Sequence, residues 1–161
     1  MAEDKHLLID LRLGFRHQRF RPAYEVVLDR RSLPKKPISV QDLGVVKGRA
    51  NLGQAVLMRL LTPRGELTAL GHPEYGSRLH ELIGVLNTDT NRNLARLYIL
   101  EALQQEPRIE TVEELTVEPV LVKHGRVTDR VTDRVHVLLR VKPVGITETI
   151  TIGPFPLEFA S

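Results

Sequence analysis

Pro107 separates two stretches of this chain that differ in hydrophobic period. Before it, residues 88–105 carry apolar side chains at the spacing of an amphipathic helix, and after it apolar and polar residues alternate as in a strand. Proline lacks the N–H that a helix interior needs and disfavours helical angles at the preceding residue, which here is Glu106. The tripeptide Glu106-Pro107-Arg108 is therefore predicted to end a helix and to lead into a strand, "IETVEEL", that begins at Ile109.

Two shorter helical segments are predicted nearer the N-terminus. The first, "NLGQAVLMRLL", has Asn51 as its N-cap and Gln54 at the third helical position, as in a capping box, and it ends at Thr62. The second, "GSRLHELIG", has Ser77 as its cap and Gly84 as its terminating residue. Its inward-facing residues are predicted to be Leu79, Leu82 and Ile83.

The longest helix is predicted to begin at Thr88 or Asp89 and to run through "TNRNLARLYILEALQQ". Its apolar residues cover more than one stripe, so we expect it to be largely buried. They are Leu94, Ala95, Leu97, Tyr98, Ile99, Leu100, Ala102 and Leu103. The pattern favours a central packing helix over a cofactor-binding element, because no polar residue interrupts the stripe at a useful spacing.

The C-terminal third has the two-residue period of antiparallel strands. The alternating apolar positions are Leu115, Val117, Leu121, Val135, Val137, Leu139 and Val141. After a turn with Pro143 and Gly145, "ITETITI" (residues 146–152) predicts a last strand at an exposed edge of the sheet. The segment "RVTDRVTDRV" (residues 126–135) repeats every four residues with charges of both signs. We interpret it as a solvated hairpin extension, with a charged finger that touches a neighbour as the alternative.

Together these patterns predict an α+β fold, in which a helical half packs on an antiparallel β-meander. We expect a single compact domain, with residues 1–50 as a basic extended arm, residues 51–108 as the helical part and residues 109–161 as the strands. A chain of 161 residues that is 42% hydrophobic can build such a core. There is no cysteine, which excludes disulfides and thiolate ligands. Neither a membrane span nor a secretory signal is recognisable, so we expect a soluble protein.

Positive charge is concentrated in the first third of the chain. Residues 1–50 contain 11 Lys/Arg and 6 Asp/Glu, whereas residues 51–161 contain 12 and 14. A basic arm can bind nucleic acid through phosphates, and its contacts would be Arg12, Arg16, Arg19 and Arg21. Because the chain is only 4% aromatic and offers no tryptophan to stack on bases, an acidic protein interface or a solvated face is the favoured interpretation. The segment "SLPKKP" (residues 32–37) is predicted to be an exposed connector.

Catalytic and cofactor-binding motifs are not recognisable in the sequence. His72 and Glu74, and likewise His80 and Glu81, lack the HExxH spacing of a zinc site, and neither GxGxxG nor GxxxxGK(S/T) occurs. We therefore predict no catalytic residue, no metal site and no cofactor. Two carboxylates could still hydrolyse a glycoside if they faced each other across a cleft, an arrangement that sequence spacing does not report.

Four motifs occur in an order that resembles a known family. They are "NLGQAVLMRLLTPRGEL", "PEYGSRLHELIG", a long helix ending in "EPR", and the strand "IETVEEL". The set spans roughly residues 51–122 and resembles the small baseplate wedge proteins of contractile phage tails. That family also supplies baseplate subunits to type VI secretion systems and to extracellular contractile injection particles. The basic stretch before Asn51 and the segment "RVTDRVTDR" are longer than the family's minimal pattern.

The resemblance implies a non-enzymatic structural role. It implies that Glu106, Pro107 and Arg108 attach the subunit to the core of the baseplate wedge, and that the β-hairpin region templates the first sheath ring by accepting strands. The candidate accepting edge comprises Ile146, Thr147, Glu148, Thr149 and Ile150. Expected partners are other wedge proteins, the sheath subunit and tube or hub proteins, with no nucleic acid and no membrane insertion. The protein would be made in the bacterial cytoplasm and incorporated into a baseplate.

Two alternatives stay open at this point. The family has been labelled lysozyme-like, which makes a peptidoglycan hydrolase one alternative. One relative is a regulatory anti-adaptor that binds a response regulator, so an adaptor that binds nucleic acid or a regulator is the other. A shared fold does not decide among these functions, because function depends on the site that the fold carries.

Overall fold

The computed structural model describes residues 7–18, 21–32, 39–124 and 127–159. Over these residues the chain contains two α-helices and nine strands that pair in antiparallel fashion, which confirms the predicted α+β class. The chain divides into two compact units, Met1–Ala55 and Val56–Ser161. The expected single domain with boundaries at residues 50 and 108 stays a prediction. None of the described helices is long and apolar enough to cross a membrane.

Three antiparallel ribbons and the start of a helix make up the described part of the N-terminal unit. The pairs are β1 (Ile9–Leu11) with β6 (Val45–Lys47), β2 (Leu13–Gln18) with β3 (Arg21–Val26), and β4 (Leu28–Ser32) with β5 (Ser39–Leu43), and α1 (Gly48–Leu61) follows. The segment predicted to be extended is thus built of paired strands. Arg19 and residues 33–37 of the predicted connector lie outside the described residues.

The three ribbons meet at Arg12, Val27 and Gly44, which each lie between two strands. Their backbones are joined in a cycle: the N–H of Arg12 donates to the carbonyl of Gly44 (2.8 Å), Gly44 to Val27 (2.7 Å), and Val27 to Arg12 (2.9 Å). All three amides and all three carbonyls are therefore satisfied at the point where the ribbons diverge. A Cβ on Gly44 would lie 2.7 Å from the Val27 oxygen, so glycine is required by this close backbone approach.

Helix α1 contributes the side chains that brace this three-way junction. The side-chain amide of Gln54 accepts from the N–H of Leu13 (2.8 Å) and donates to the carbonyl of Leu11 (2.8 Å), as a neighbouring strand would. Asn51 donates to the carbonyl of Leu7 (2.7 Å). The predicted cap at Asn51 is therefore wrong, because the helix begins earlier, at Gly48. Both amide side chains are buried, and Gln54 bonds to strand backbone while Asn51 bonds to the residue Leu7, which precedes β1.

The C-terminal unit is built on a three-stranded sheet. Its order is β7 (Ile109–His124), β8 (Val127–Pro143) and β9 (Ile150–Glu158). The predicted alternation is confirmed by the buried residues Val117, Val135, Val137, Leu139 and Val141, but it is wrong for Leu121, which is 51% exposed. The β7–β8 ribbon still pairs Leu121 with Val131 and His124 with Val127, so "RVTDRVTDRV" extends the hairpin as predicted. The hairpin tip, residues 125–126, lies outside the described residues.

Helix α2 (Asp89–Gln104) begins where the sequence predicts. The hydroxyl of Thr88 accepts a hydrogen bond from the N–H of Asn91 (3.2 Å), which caps the first turn. The buried face comprises Ala95, Tyr98, Ile99, Ala102 and Leu103. The expectation that the helix is largely buried is wrong for the opposite stripe, because α2 packs on β7 from one side and leaves Leu97 58% exposed.

The segment "GSRLHELIG" forms a 3₁₀ helix, Leu79–Leu82, rather than a turn of α-helix. Its two leucines are buried as predicted, but Ile83 is exposed because the chain becomes extended there. The hydroxyl of Ser77 accepts from the N–H of Leu79 (3.3 Å) and donates to the carbonyl of Leu60 (2.5 Å). Ser77 therefore ties this segment to the last turn of α1.

Replacement of Gly44 tests the three-way junction. We expect Gly44→Ala to destabilise the N-terminal unit by about 1–3 kcal/mol, because the added methyl group must displace backbone. Gly14→Ala is the matched control, since its Cβ would meet only ordinary contacts at 3.5 Å and 3.8 Å. Urea unfolding, combined with amide hydrogen exchange of all six strands from β1 to β6, measures the stability of both variants. Equal stability of the two variants would contradict the proposed close approach.

Candidate partner-binding site

The Glu106-Pro107-Arg108 tripeptide forms a tight turn between α2 and β7. The N–H of Ile109 donates to the carbonyl of Glu106 (3.1 Å), which closes a four-residue turn with proline at its second position. Proline suits that position because its fixed φ matches the turn. The N–H of Glu106 donates in turn to the carbonyl of Leu103 (3.0 Å), so the turn continues directly from the end of α2.

The Glu106 carboxylate is buried between two arginines. One oxygen, Oε1, accepts from Nε of Arg108 (2.6 Å), and the other, Oε2, lies 3.5 Å from Nη2 of Arg59. Only 4% of the Glu106 side chain is exposed, so these guanidinium groups replace the water that a carboxylate normally requires. Glu106 and Arg108, to which the family resemblance assigns attachment to a partner, are thus paired with each other within the chain.

Arg59 is held from its other side by Tyr75. The guanidinium carbon lies 4.5 Å from the centre of the tyrosine ring, which is the geometry of a cation–π contact. Next to the tyrosine, Gly76 has a φ of 108°, and a Cβ there would lie 2.6 Å from the Thr62 oxygen. Glycine at this position therefore allows the tyrosine loop to approach the end of α1.

The electrostatics of the cluster favour the ionised carboxylate. Burial alone would raise the pKa of Glu106, but the hydrogen bond from Arg108 and the positive charges of Arg108 and Arg59 outweigh it, and the pKa lies below its usual value. Burial raises the pKa of Tyr75, so its phenol stays neutral beside these charges. With two guanidinium groups to one carboxylate, the cluster carries one surplus positive charge.

The predicted sheath-accepting edge differs in its boundaries from the strand in the structure. Strand β9 begins at Ile150, which pairs with Val141, and it continues to Glu158. The prediction of a strand from Ile146 is wrong, because the Ile146 side chain turns into the core and Thr147 and Glu148 form a bend.

Beyond that bend, the hydroxyl of Thr149 donates to Oε2 of Glu113 (2.7 Å). Within the described sheet β9 has a partner on one side only, so it does lie at an edge.

The structure brings the two predicted sites to the same end of the sheet. The carbonyl of Arg108 accepts from the N–H of Val144 (2.9 Å), and Val144 lies in the turn between β8 and β9. Ile109, the first residue of β7, pairs with Pro143, the last of β8. The tripeptide turn and the start of the β8–β9 connection are therefore neighbours, which their separation in sequence does not indicate.

Sequence reasoning missed Arg59 and Tyr75 as members of this cluster. A signal for Arg59 was present: it lies seven residues after Leu52 and three after Val56, on the buried face of the first helix. A charged residue at such a position needs a buried partner. No comparable signal identifies Tyr75, because its ring reaches Arg59 only through the folding of the intervening loop.

Among the described residues, no group of three or more His, Asp or Glu side chains is placed to hold a metal ion. Neither protein-family models, nor curated proteins, nor solved structures match this chain. The family resemblance therefore stays a prediction.

The buried carboxylate makes stability depend on pH in a defined direction. Since the pKa of Glu106 is lowered by folding, its contribution is fully present above the unfolded pKa of about 4.3 and is lost as the pH falls through the folded pKa. Glu106→Gln should lower the free energy of unfolding by about 1.5–3 kcal/mol at pH 7. The deficit should shrink below about pH 4.3, as chemical denaturation at a series of pH values would show.

Glu114→Gln is the control for this measurement. Glu114 pairs with Arg140 at the surface, where such a pair contributes about 0–1 kcal/mol. If Glu106→Gln matches the stability of the wild type at pH 7, or if its deficit persists unchanged at pH 3, the stabilising role assigned to the carboxylate is incorrect.

Proposed function

We propose that this chain is a non-enzymatic structural subunit of a contractile tail-like injection machine. In this role the Glu106-Pro107-Arg108 turn attaches the subunit to the core of a baseplate wedge, and the edge strand β9 accepts strands from the first sheath ring. The observation that carries the proposal is the turn itself: Pro107 is exposed, and Arg108 is held in place by its hydrogen bond to the buried carboxylate of Glu106. Its assembly would begin in the bacterial cytoplasm and end in a baseplate.

The turn has the rigidity that an attachment point in a repeated assembly requires. Pro107 is exposed, and Arg108 is held by its bond to Glu106 and by the main-chain bond from Val144. A guanidinium that is already fixed loses little conformational entropy when a partner binds it. The turn can thus set the orientation of a neighbouring subunit.

The charge of the cluster indicates what the partner supplies. Arg108 is 19% exposed and donates hydrogen bonds to Glu106 through Nε and the backbone N–H, which leaves its terminal nitrogens without a hydrogen bond to that carboxylate. The surplus positive charge is best neutralised by a carboxylate, which can accept two parallel bonds from a guanidinium. An acidic side chain of another wedge protein is the expected partner group.

The edge of β9 is suited to strand addition over part of its length. Residues 150–153 keep every backbone N–H, whereas Pro154 and Pro156 have none to donate. An added sheath strand would therefore pair most completely with the first half of β9, where main-chain bonds supply the affinity. Weak pairing at each subunit would be reinforced by repetition around a ring.

Electron microscopy of particles from cells that carry Arg108→Ala tests the attachment site. We expect the wild type to yield sheathed particles and the variant to yield bare tubes, disordered sheath or none, because the partner carboxylate loses its guanidinium. Arg140→Ala removes a surface arginine of the same sheet and should leave assembly unchanged.

Arg108→Lys separates loss of charge from loss of geometry. Lysine keeps the positive charge but lacks the planar fork, so partial assembly is expected. Circular dichroism of each purified variant confirms that it folds. Normal sheathed particles from folded Arg108→Ala would remove the tripeptide from the proposed attachment site.

A further inference from the structure

The three ribbons of the N-terminal unit place apolar residues in register around the three-way junction. Each ribbon begins at the junction with an apolar pair, and the pairs are Leu11 with Val45, Leu13 with Val26, and Leu28 with Leu43. We call these six residues the apolar ring. Directly opposite residues of an antiparallel pair lie on the same face, so each pair forms one contiguous apolar contact.

The apolar ring is exposed. Five of its members have exposed fractions of 40–54%, namely Leu11 and Val45 (40%), Val26 (46%), Leu43 (47%) and Leu28 (54%). Ile9, two residues along the same strand as Leu11, is 62% exposed. A two-stranded ribbon has no second layer of its own, and contiguous exposed apolar residues mark an interaction site more often than isolated ones do.

The opposite face of the junction has different chemistry. Arg12 donates to Asp29 across it, and a Cβ on Gly44 would lie 3.2 Å from Nε of Arg12 and 3.1 Å from Oδ2 of Asp29. A Cβ on Gly14 would likewise meet Val27 at 3.5 Å. These contacts show that Arg12, Val27, Gly44, Gly14 and Asp29 share one face of the junction. Successive side chains of a strand point to opposite faces, so the residues of the apolar ring, which are next to the junction residues in sequence, lie on the opposite face.

Charge is distributed unequally between the two faces. The register of the strands places the four carboxylates whose side chains the structure describes in the ribbons on the same face as Arg12; they are Asp10, Glu25, Asp29 and Asp42. Among the described side chains on the face of the apolar ring, the one charged group is Lys47, opposite Ile9. The ring face therefore combines apolar surface with positive charge and has no described carboxylate.

We propose that the apolar ring docks a protein segment in which apolar side chains alternate with carboxylates. The apolar groups would cover the ring, and the carboxylates would face Lys47 and the excess of basic residues in this unit, where residues 1–50 carry 11 Lys/Arg against 6 Asp/Glu. A second copy that docked its own ring would instead bring two like charges together. This inference does not depend on the proposed assembly role, because it concerns residues that the family resemblance does not cover.

The test uses short fluorescein-labelled peptides of defined composition, bound to the full chain and followed by fluorescence anisotropy. A peptide of alternating leucine and glutamate should bind at least about tenfold more tightly than its leucine–lysine counterpart, and a serine–glutamate peptide should not bind. The paired variant Leu28→Ser/Leu43→Ser should weaken the leucine–glutamate peptide by at least about tenfold. Lys47→Glu should reduce the preference for glutamate over lysine.

Leu70→Ser/Leu86→Ser is the matched control, since both leucines are 72% exposed in the other unit and lie outside the ring. It should leave binding unchanged, and thermal unfolding verifies that each variant folds. Equal affinity for the glutamate and lysine peptides, no binding of either, or equal weakening by the control variant overturns the proposal. Sedimentation of the chain alone gives a further outcome: a dimer that Leu28→Ser/Leu43→Ser dissociates would assign the ring to a second copy and overturn the acidic partner.

Discussion

The buried Glu106 carboxylate is the constraint that organises the C-terminal unit. It lies at the point where the last turn of α1, the end of α2 and the start of β7 come together, and its two oxygens face arginines from different elements. A buried charge of this kind is tolerated only if it is fully paired, so each element must adopt its position for the others to be stable. The carboxylate therefore helps to determine how α1, α2 and β7 are arranged, in addition to stabilising the unit.

The N-terminal unit depends on a different kind of constraint. Its ribbons are too narrow to bury a core, and main-chain hydrogen bonds around Arg12, Val27 and Gly44 determine how they diverge. Gln54 supplies donor and acceptor groups in place of another strand. Side-chain packing therefore contributes less here than in the sheet, and most of the described apolar side chains of the ribbons are exposed, although Leu7 and Leu52 are buried.

These two constraints give the molecule two surfaces of different chemistry. The proline turn presents a fixed guanidinium with surplus positive charge, which suits a single acidic group and an exact orientation. The apolar ring presents a broader surface with positive charge at its margin, which suits a segment that is both apolar and acidic. Both proposals call for an acidic partner, and the basic excess of the first third of the chain acts in the same direction.

The elements that could be predicted from the sequence are those whose signals are local. The end of α2 at the proline, the Thr88 cap and the alternating strands follow from backbone sterics and hydrophobic period, which act over a few residues. Three features depend on the folded chain: Arg59 and Tyr75 join Glu106, Asn51 and Gln54 bind the backbone of residues 7–13, and β9 begins at Ile150. Each of these depends on groups far apart in the chain, and a buried polar side chain selects its partner from whatever the fold brings within hydrogen-bonding distance.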